Sequence, residues 1–494
     1  MGLLIPIVIV ITTLAVGWLL RRQFLEHTFL ARYGIPGPKP DLIYGNLLQL
    51  KKDRVRVMSQ WIKQYGKHFG YYNGAQPVVV CSDLDTLRHI LIKESANFND
   101  RPEGPIHVEP FKSSIIFLKG EEWKNVRSAL SPLFSTAKMR FMADIMYGCV
   151  ETFVNIIKKK ALKKQTFDMN HVAQGLTLDV ICKYALAMDV DCQQSEGGLR
   201  LHVKEFFKNA ENGAVELSWA FPFLIPMFKV LYMLFASGGL IKSILDNLSL
   251  VIRLRRSGEV PKQPDMLQLM LDTQETMGRQ KMTDHHIIAN SFVFLIAGFE
   301  TSATALAFIT QILVEKPEIQ DRIMEEVKRR FPDQLSKGKK LTYEDLHQLK
   351  YLDQVIRECM RIYPPVVLMV TRYCPRTCTI NGYTFPGGAH VLVPVYHLHH
   401  DPKLWDSPEE FRPERFEVDA TRPMHPVQFV AFGQGPRICI GMRFALLIIK
   451  MTLVELLRNV RLTPGDGFQS PPELIVPNVL INPKGGVHVR SELI

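Results

Sequence analysis

The stretch Phe432-Gly-Gln-Gly-Pro-Arg-Ile-Cys-Ile-Gly441 decides the reading of this chain. Gly433, Gly435 and Gly441 let the main chain turn tightly and approach a flat surface that any side chain would hold off. Cys439 stands just before an apolar run, MRFALLIIKMTLVELL, whose pattern is helical. A helix N-terminus stabilises a negative sulfur. Arg437, two residues before the thiol, can pair with a carboxylate. A buried cysteine in a glycine-rich turn is the bland reading of any one such residue. Phe, spaced Gly, Arg, Cys and a further Gly within ten residues are more specific. They describe a loop built to hold a thiolate against a flat, metal-bearing ring.

Working outward, Ile287 to Val314 is a long apolar helix pattern with Glu300 at its centre and polar neighbours at 301, 302 and 304. That acid argues against a membrane span and for the central helix of a large domain. Gly298 weakens the helix, and the Thr301 hydroxyl competes for a backbone carbonyl, so a local distortion that opens room for a ligand is expected. Asp284 is expected to cap this helix and Pro317 to open the next. Glu358 and Arg361, three apart in RECMRIYPP, share a helical face, as do Trp123 and Arg127, four apart in EEWKNVRSALSP.

Together these segments resemble the cytochromes P-450. The loop matches that family's Phe-x-x-Gly-x-Arg-x-Cys-x-Gly signature at every fixed position, and Ala297-Gly-Phe-Glu-Thr301 resembles its oxygen-activation segment. The resemblance runs the length of the chain. GEEWKNVRSALSPLFS, HHDPKLWDSPEEFRPERF and QGPRICIGMRFAL are most similar to the animal drug-metabolising clan typified by the family-three enzymes. It implies a mainly α fold with a small antiparallel β-sheet, enclosing haem b. It implies Cys439 as axial ligand to the iron, in a loop shaped by Phe432 and Gly441, with the thiolate pushing electron density that favours O–O cleavage. By the same resemblance Trp123, Arg127, Arg372, Arg437 and Arg101 hold the haem, chiefly through its propionates. Glu300 and Thr301 deliver protons to bound dioxygen. Arg415, in Phe411-Arg-Pro-Glu-Arg-Phe416, closes a structural cluster with Glu358 and Arg361. Ile296, Ala297, Val366 and Val367 line an apolar substrate pocket. The implied reaction inserts one atom of dioxygen into a small apolar substrate (a xenobiotic, steroid or fatty acid). No flavin or dinucleotide motif exists in the chain, so electrons come from NADPH through a partner reductase, with cytochrome b5 as a further partner. A haem-thiolate isomerase that rearranges a lipid peroxide is the alternative, but such relatives can lose the helix threonine that is present here. A haem sensor without turnover would not need the acid and the threonine.

Composition bounds the rest. The 494 residues are 47% hydrophobic, enough for a large core, and 60 Lys and Arg against 49 Asp and Glu leave a net charge of +11. With no zinc-finger spacing and no basic helix interleaved with aromatics, that excess points to an anionic membrane surface or an acidic partner protein, not to nucleic acid. Lys124 and Arg443 flank the cysteine face and are the candidates for docking the electron donor. Eight cysteines without a C-x-x-C spacing suit a reducing compartment.

Leu3 to Leu20 is uncharged and followed by Arg21 and Arg22, which reads as a transmembrane anchor over residues 1–22. A single pass at the endoplasmic reticulum, with the catalytic domain in the cytosol, is the corresponding expectation. Residues 23–40 end in a proline-rich strap, and residues 41–494 form the catalytic domain. Helix patterns cover 139–164, 198–214, 284–315, 316–331 and 442–459. Strand patterns cover 78–82, 378–383 and 390–395, with Asn381-Gly382 as a hairpin turn. The segment Trp219 to Leu240, interrupted by Pro222, Pro226 and Lys229, reads either as a broken apolar patch lying in a membrane interface or as a buried core stretch.

Overall fold

Apolar periodicity and turn chemistry place most elements where the sequence puts them. The computed structural model describes residues 4–494 other than 96, 105–107, 187, 189, 196, 197, 210–212, 236–239, 264, 279, 280, 418–422 and 478. The described chain is predominantly helical, with short and mostly antiparallel sheets. It divides into two compact units: Met1–His107, Asn209–Ala236 and Leu368–Pro394 form one, and the remainder forms the other.

The first unit is built on a four-stranded sheet. His68–Asn73 and Gln76–Cys81 pair as an antiparallel hairpin, His390–Leu392 adds in parallel, and Thr371–Tyr373 pairs with it antiparallel. Trp61, Phe69, Tyr71, Val78, Val80 and Leu392 form its core. The proline strap lies on this sheet, Gly70 N–H donating to the Pro36 carbonyl at 2.8 Å. Gly37 is required there, because a Cβ at that position would stand 1.9 Å from the Gly70 carbonyl oxygen. Cys378–Ile380 and Tyr383–Phe385 form the hairpin turned by Asn381 and Gly382, both with positive φ.

The expectation of a single-pass N-terminal anchor, and the localisation drawn from it, is corrected here. Among the described residues the one helix long and apolar enough to cross a membrane is Asp284–Glu315, in mid-chain, and 72% of its apolar window is buried inside the protein. Burial is how a core helix satisfies an apolar circumference. Leu4–His27 does form a helix, but its last turns are tied to the first unit. Gln23 Nε2 donates to the Ala220 carbonyl at 2.8 Å, the His27 ring bonds the Gly74 carbonyl at 2.9 Å, and Arg22 lies over the Trp18 and Phe223 rings. Hydropathy of a terminal segment says nothing of such docking.

The 219–240 segment is broken where its first proline falls. The helix Gly213–Ala220 stops, Pro222–Leu224 makes a 3₁₀ turn, and Ile225–Phe235 continues. Ala220 and Phe228 turn inward, while Phe223, Met227 and Val230 are exposed. Residues 236–239 of this stretch lie outside the described residues.

The second unit is organised around Asp284–Glu315, which packs along Met169–Ala185 and also touches Lys350–Ile362 and Met442–Leu457. Thr136–Leu162 packs on two of these helices, and the strands Phe167–Asp168, His488–Leu493 and Val460–Pro464 form its sheet. Thr283, not Asp284, caps the central helix. Its hydroxyl accepts from His286 N–H at 3.3 Å, and His286 Nδ1 accepts from Thr283 N–H at 3.1 Å. Asp284, freed from capping, holds the Arg256 guanidinium at 2.6 and 2.7 Å. The expected distortion at Gly298 is absent from the described helix, which runs unbroken. A Cβ at Gly298 would stand 2.5 Å from Ile181 Cδ1, so the glycine serves close approach of two helices.

Candidate functional site

In the 432–441 loop Gly433 and Gly435 both take positive φ, at 72° and 73°, so glycine is needed at each. Their turns bring Cys439 N–H to the Phe432 carbonyl at 2.9 Å, and Gly441 caps the helix Met442–Leu457. No acid occupies the first turn of that helix, which leaves its positive end to the thiol. The eight cysteines separate sharply. Six are buried, Cys378 is half-buried, and Cys439 is exposed. Burial pushes the thiols of Cys81, Cys192 and Cys374 up to about 12, and that of Cys359 well above the ordinary range. Those sulfurs are core atoms.

Around the loop stand three groups noted in the sequence. Burial lowers the pKa of the Arg127 guanidinium, and the nearby charge of Cys439 raises it, which places cation and sulfur within electrostatic reach. Arg437 is buried, donates to the carbonyls of Ile115 at 3.1 Å and Leu118 at 2.8 Å, and lies 4.0 Å from the centre of the Trp123 ring. That is cation–π range. Trp123 is 4% exposed, yet its Nε1–H has no acceptor. A buried donor without a partner costs about 1–3 kcal/mol and asks for a ligand atom.

The central helix supplies the other wall. Ala297 is exposed on a helix otherwise almost wholly buried, and Phe294, Gly298 and Thr301 beside it are half-buried. These positions share one face at helical spacing, so this face of the helix is left open rather than packed. Thr301 Oγ1 donates to the Ala297 carbonyl at 2.6 Å. Glu300 points elsewhere. It is 9% exposed and accepts from Gln174 Nε2 at 3.0 and 3.3 Å, and burial raises its pKa. The structure therefore does not bring Glu300 and Thr301 into contact. Ile296 is half-buried one residue before Ala297, Val366 bridges to Leu480, and Val367 N–H donates to the Val479 carbonyl at 3.0 Å.

Glu358 and Arg361 are both 0% exposed. Arg361 Nε and Nη2 donate to the two carboxylate oxygens at 2.8 and 2.9 Å, and Arg415 Nε donates at 3.1 Å. Arg372 and Arg101 belong to the other compact unit. Arg372 is buried in the strand Thr371–Tyr373, with Nη1 on the Thr371 carbonyl at 2.8 Å.

Two features escaped the sequence. Gln174 has no spacing signal linking it to Glu300, since 126 positions separate them. Phe111, Phe206 and Phe292 meet in one aromatic group, with Phe111 and Phe206 stacked at 5.9 Å and Phe292 edge-on to Phe111 at 5.5 Å. Among the described residues no group of three or more His, Cys, Asp or Glu side chains forms a metal cage. One thiol, a buried indole N–H without an acceptor and a cation that feels the charge of the sulfur fit a metal carried in an anionic macrocycle, which needs only one protein ligand.

Comparison with known proteins shows the family. The family model "Cytochrome P450" (here written P-450) matches residues 35–489, and the chain belongs to that family. It is a haem-thiolate oxidoreductase of the monooxygenase class. The chain is 33% identical to cytochrome P-450 3A5 of Homo sapiens and 32% identical to cytochrome P-450 3A29 of Sus scrofa, each over 91% of this chain and 89% of the relative. It is 32% identical to cytochrome P-450 3A27 of Oncorhynchus mykiss, over 95% of this chain and 91% of the relative.

Proposed function

We propose that this chain takes electrons from NADPH through a flavoprotein reductase and inserts one oxygen atom into a small apolar substrate. Cytochrome b5 would be a further donor. The single observation that carries this reading is the exposed Cys439 in its glycine-turned loop, whose Arg437 lies over the Trp123 ring with its unanswered indole N–H. Haem b, when bound, supplies the dioxygen chemistry. Cys439 would hold its iron, with Phe432 and Gly441 shaping the loop. Trp123, Arg127 and Arg437 would hold its propionates, and the family resemblance adds Arg372 and Arg101 as candidates for the same task. Thr301 keeps a hydroxyl proton on the open face of the central helix, and Glu300 is the acid that resupplies it. Ala297, Ile296, Val366 and Val367 would line the substrate side, and the half-buried rings of Phe111 and Phe206 supply flat apolar surface next to the same helix. Arg443, exposed in the first turn after the loop, and Lys124, paired to Glu121 at 2.5 Å, are the basic residues offered to an acidic donor.

The reduced, carbonyl-bound protein should show the red-shifted Soret band of thiolate ligation, and Cys439→His should move it to the imidazole position. Persistence of the red-shifted band in Cys439→Ala would overturn the assignment. Thr301→Ala should keep the band and raise the peroxide released per NADPH severalfold, because a positioned proton donor is lost. Unchanged coupling would reduce Thr301 to a packing residue. A product screen over lipids and xenobiotics, with reductase present, identifies the substrate.

A further inference from the structure

The helix Met169–Ala185 grips the central helix at one turn. Thr177 Oγ1 donates to the Phe299 carbonyl at 2.8 Å, Ile181 closes on Gly298, and Gln174 Nε2 reaches both oxygens of Glu300. Three successive residues of the central helix are thus held from one neighbour. Gln174 is 6% exposed, and its other amide atom, Oε1, is buried with no donor. An ionised carboxylate can only accept, so it cannot satisfy that oxygen. A neutral Glu300 carries one O–H. A small rotation of the amide lets that hydrogen reach Oε1 while the amide N–H stays on the other carboxyl oxygen. The result is a reciprocal acid–amide pair with no buried polar atom left over.

We infer that Gln174 is a positioning residue for the oxygen chemistry, holding Glu300 as a neutral, proton-loaded acid turned away from Thr301 until the pair opens. This rests on the proposed reading of Glu300 and Thr301 as the proton-delivery pair. A cation in place of the amide would hold a carboxylate and empty the proton store. The amide holds the acid without discharging it. Burial is the main reason Glu300 favours its neutral form; the Gln174 bond and the charge of Lys204 oppose it. The Lys204 ammonium, on Leu199–Asn209, also lies 3.2 Å from His171 Nδ1, one turn before Gln174. Glu300 and Thr301 are neighbours in sequence but turned to different sides of the helix, so the acid must leave Gln174 to serve the hydroxyl.

The test uses the full chain loaded with haem and reads the carboxylic C=O band of the resting protein by difference infrared spectroscopy across pH. A band that persists at neutral pH and vanishes in Glu300→Gln identifies the neutral acid. In Gln174→Leu that band should move to higher frequency, because the amide N–H on its carbonyl oxygen is gone. Peroxide released per NADPH, with reductase, should rise severalfold. Gln174→Met serves as a second variant of similar length. No neutral-pH band, or a band indifferent to both Gln174 variants, overturns the proposal. Failure of both variants to load haem also overturns it, by making Gln174 a packing residue. If Glu300→Gln leaves the peroxide yield unchanged while the band behaves as described, the proton-delivery reading fails and the acid–amide pair stands.

Discussion

Two polar clusters of the same compact unit face opposite requirements. Glu358 and Arg361 sit in full burial with Arg415 half-buried beside them, and every charge is answered. The carboxylate takes both arginines and the Arg412 N–H, and Arg361 also donates to the His399 carbonyl at 2.9 Å. Around Cys439 the accounting is open. The thiol is exposed, the Trp123 N–H is unanswered, and a cation stands within reach of the sulfur. Buried groups that are satisfied by the protein maintain it, and groups left unsatisfied mark where something else binds. The Arg361 pair is three residues apart on a helix, a spacing worth little on a surface, and burial alone makes it matter.

The comparison is tested most severely by Glu358→Gln. It should strip the countercharge from two buried arginines and lower the stability of the haem-loaded protein by about 3–5 kcal/mol, the usual cost of breaking a buried pair. Denaturant unfolding reads it, and a loss below about 1 kcal/mol, the range of surface pairs, would erase the distinction.

A smaller effect concerns acid. Burial pushes His399 down to about 3 and His400 down to about 4, from 6.5. Folded pKa values below the unfolded ones mean that the unfolded chain binds the extra protons. Their contribution is therefore present above about pH 6.5 and is lost as pH falls toward 4. His400→Phe should flatten the stability profile in that window relative to the parent. An unchanged acid slope would show that His400 is not held neutral.

The smallest effect is expected at the open cluster. Trp123→Phe keeps a ring beneath Arg437 and removes only the unanswered N–H. Haem should then leave roughly tenfold faster, the equivalent of about one hydrogen bond to a charged group, with folding stability of the haem-free chain unchanged or improved. Slower folding-state loss without faster haem loss would mean that Trp123 only packs.

Local chemistry was legible in advance. A ten-residue loop carries its glycines, cysteine and arginine together, so its turn is written in adjacent positions. The 32-residue central helix and the Asn381-Gly382 hairpin are likewise set by near neighbours. The cap of that helix was read one residue late, because Thr283 and Asp284 are both competent and only the competing demand of Arg256 separates them.

The amino-acid sequence by itself determined the family, the thiolate loop and the helical framework, since each rests on short-range spacing and apolar period. Tertiary structure alone decided which polar groups are answered. It turned Glu300 away from Thr301 and onto Gln174, docked the last turns of Leu4–His27 through Gln23 and His27, and buried the one helix among the described residues that is apolar enough to cross a membrane. Hydrogen bonding and burial depend on what lies across the fold. Partners 126 residues apart, as Gln174 and Glu300 are, leave no periodic trace in the chain.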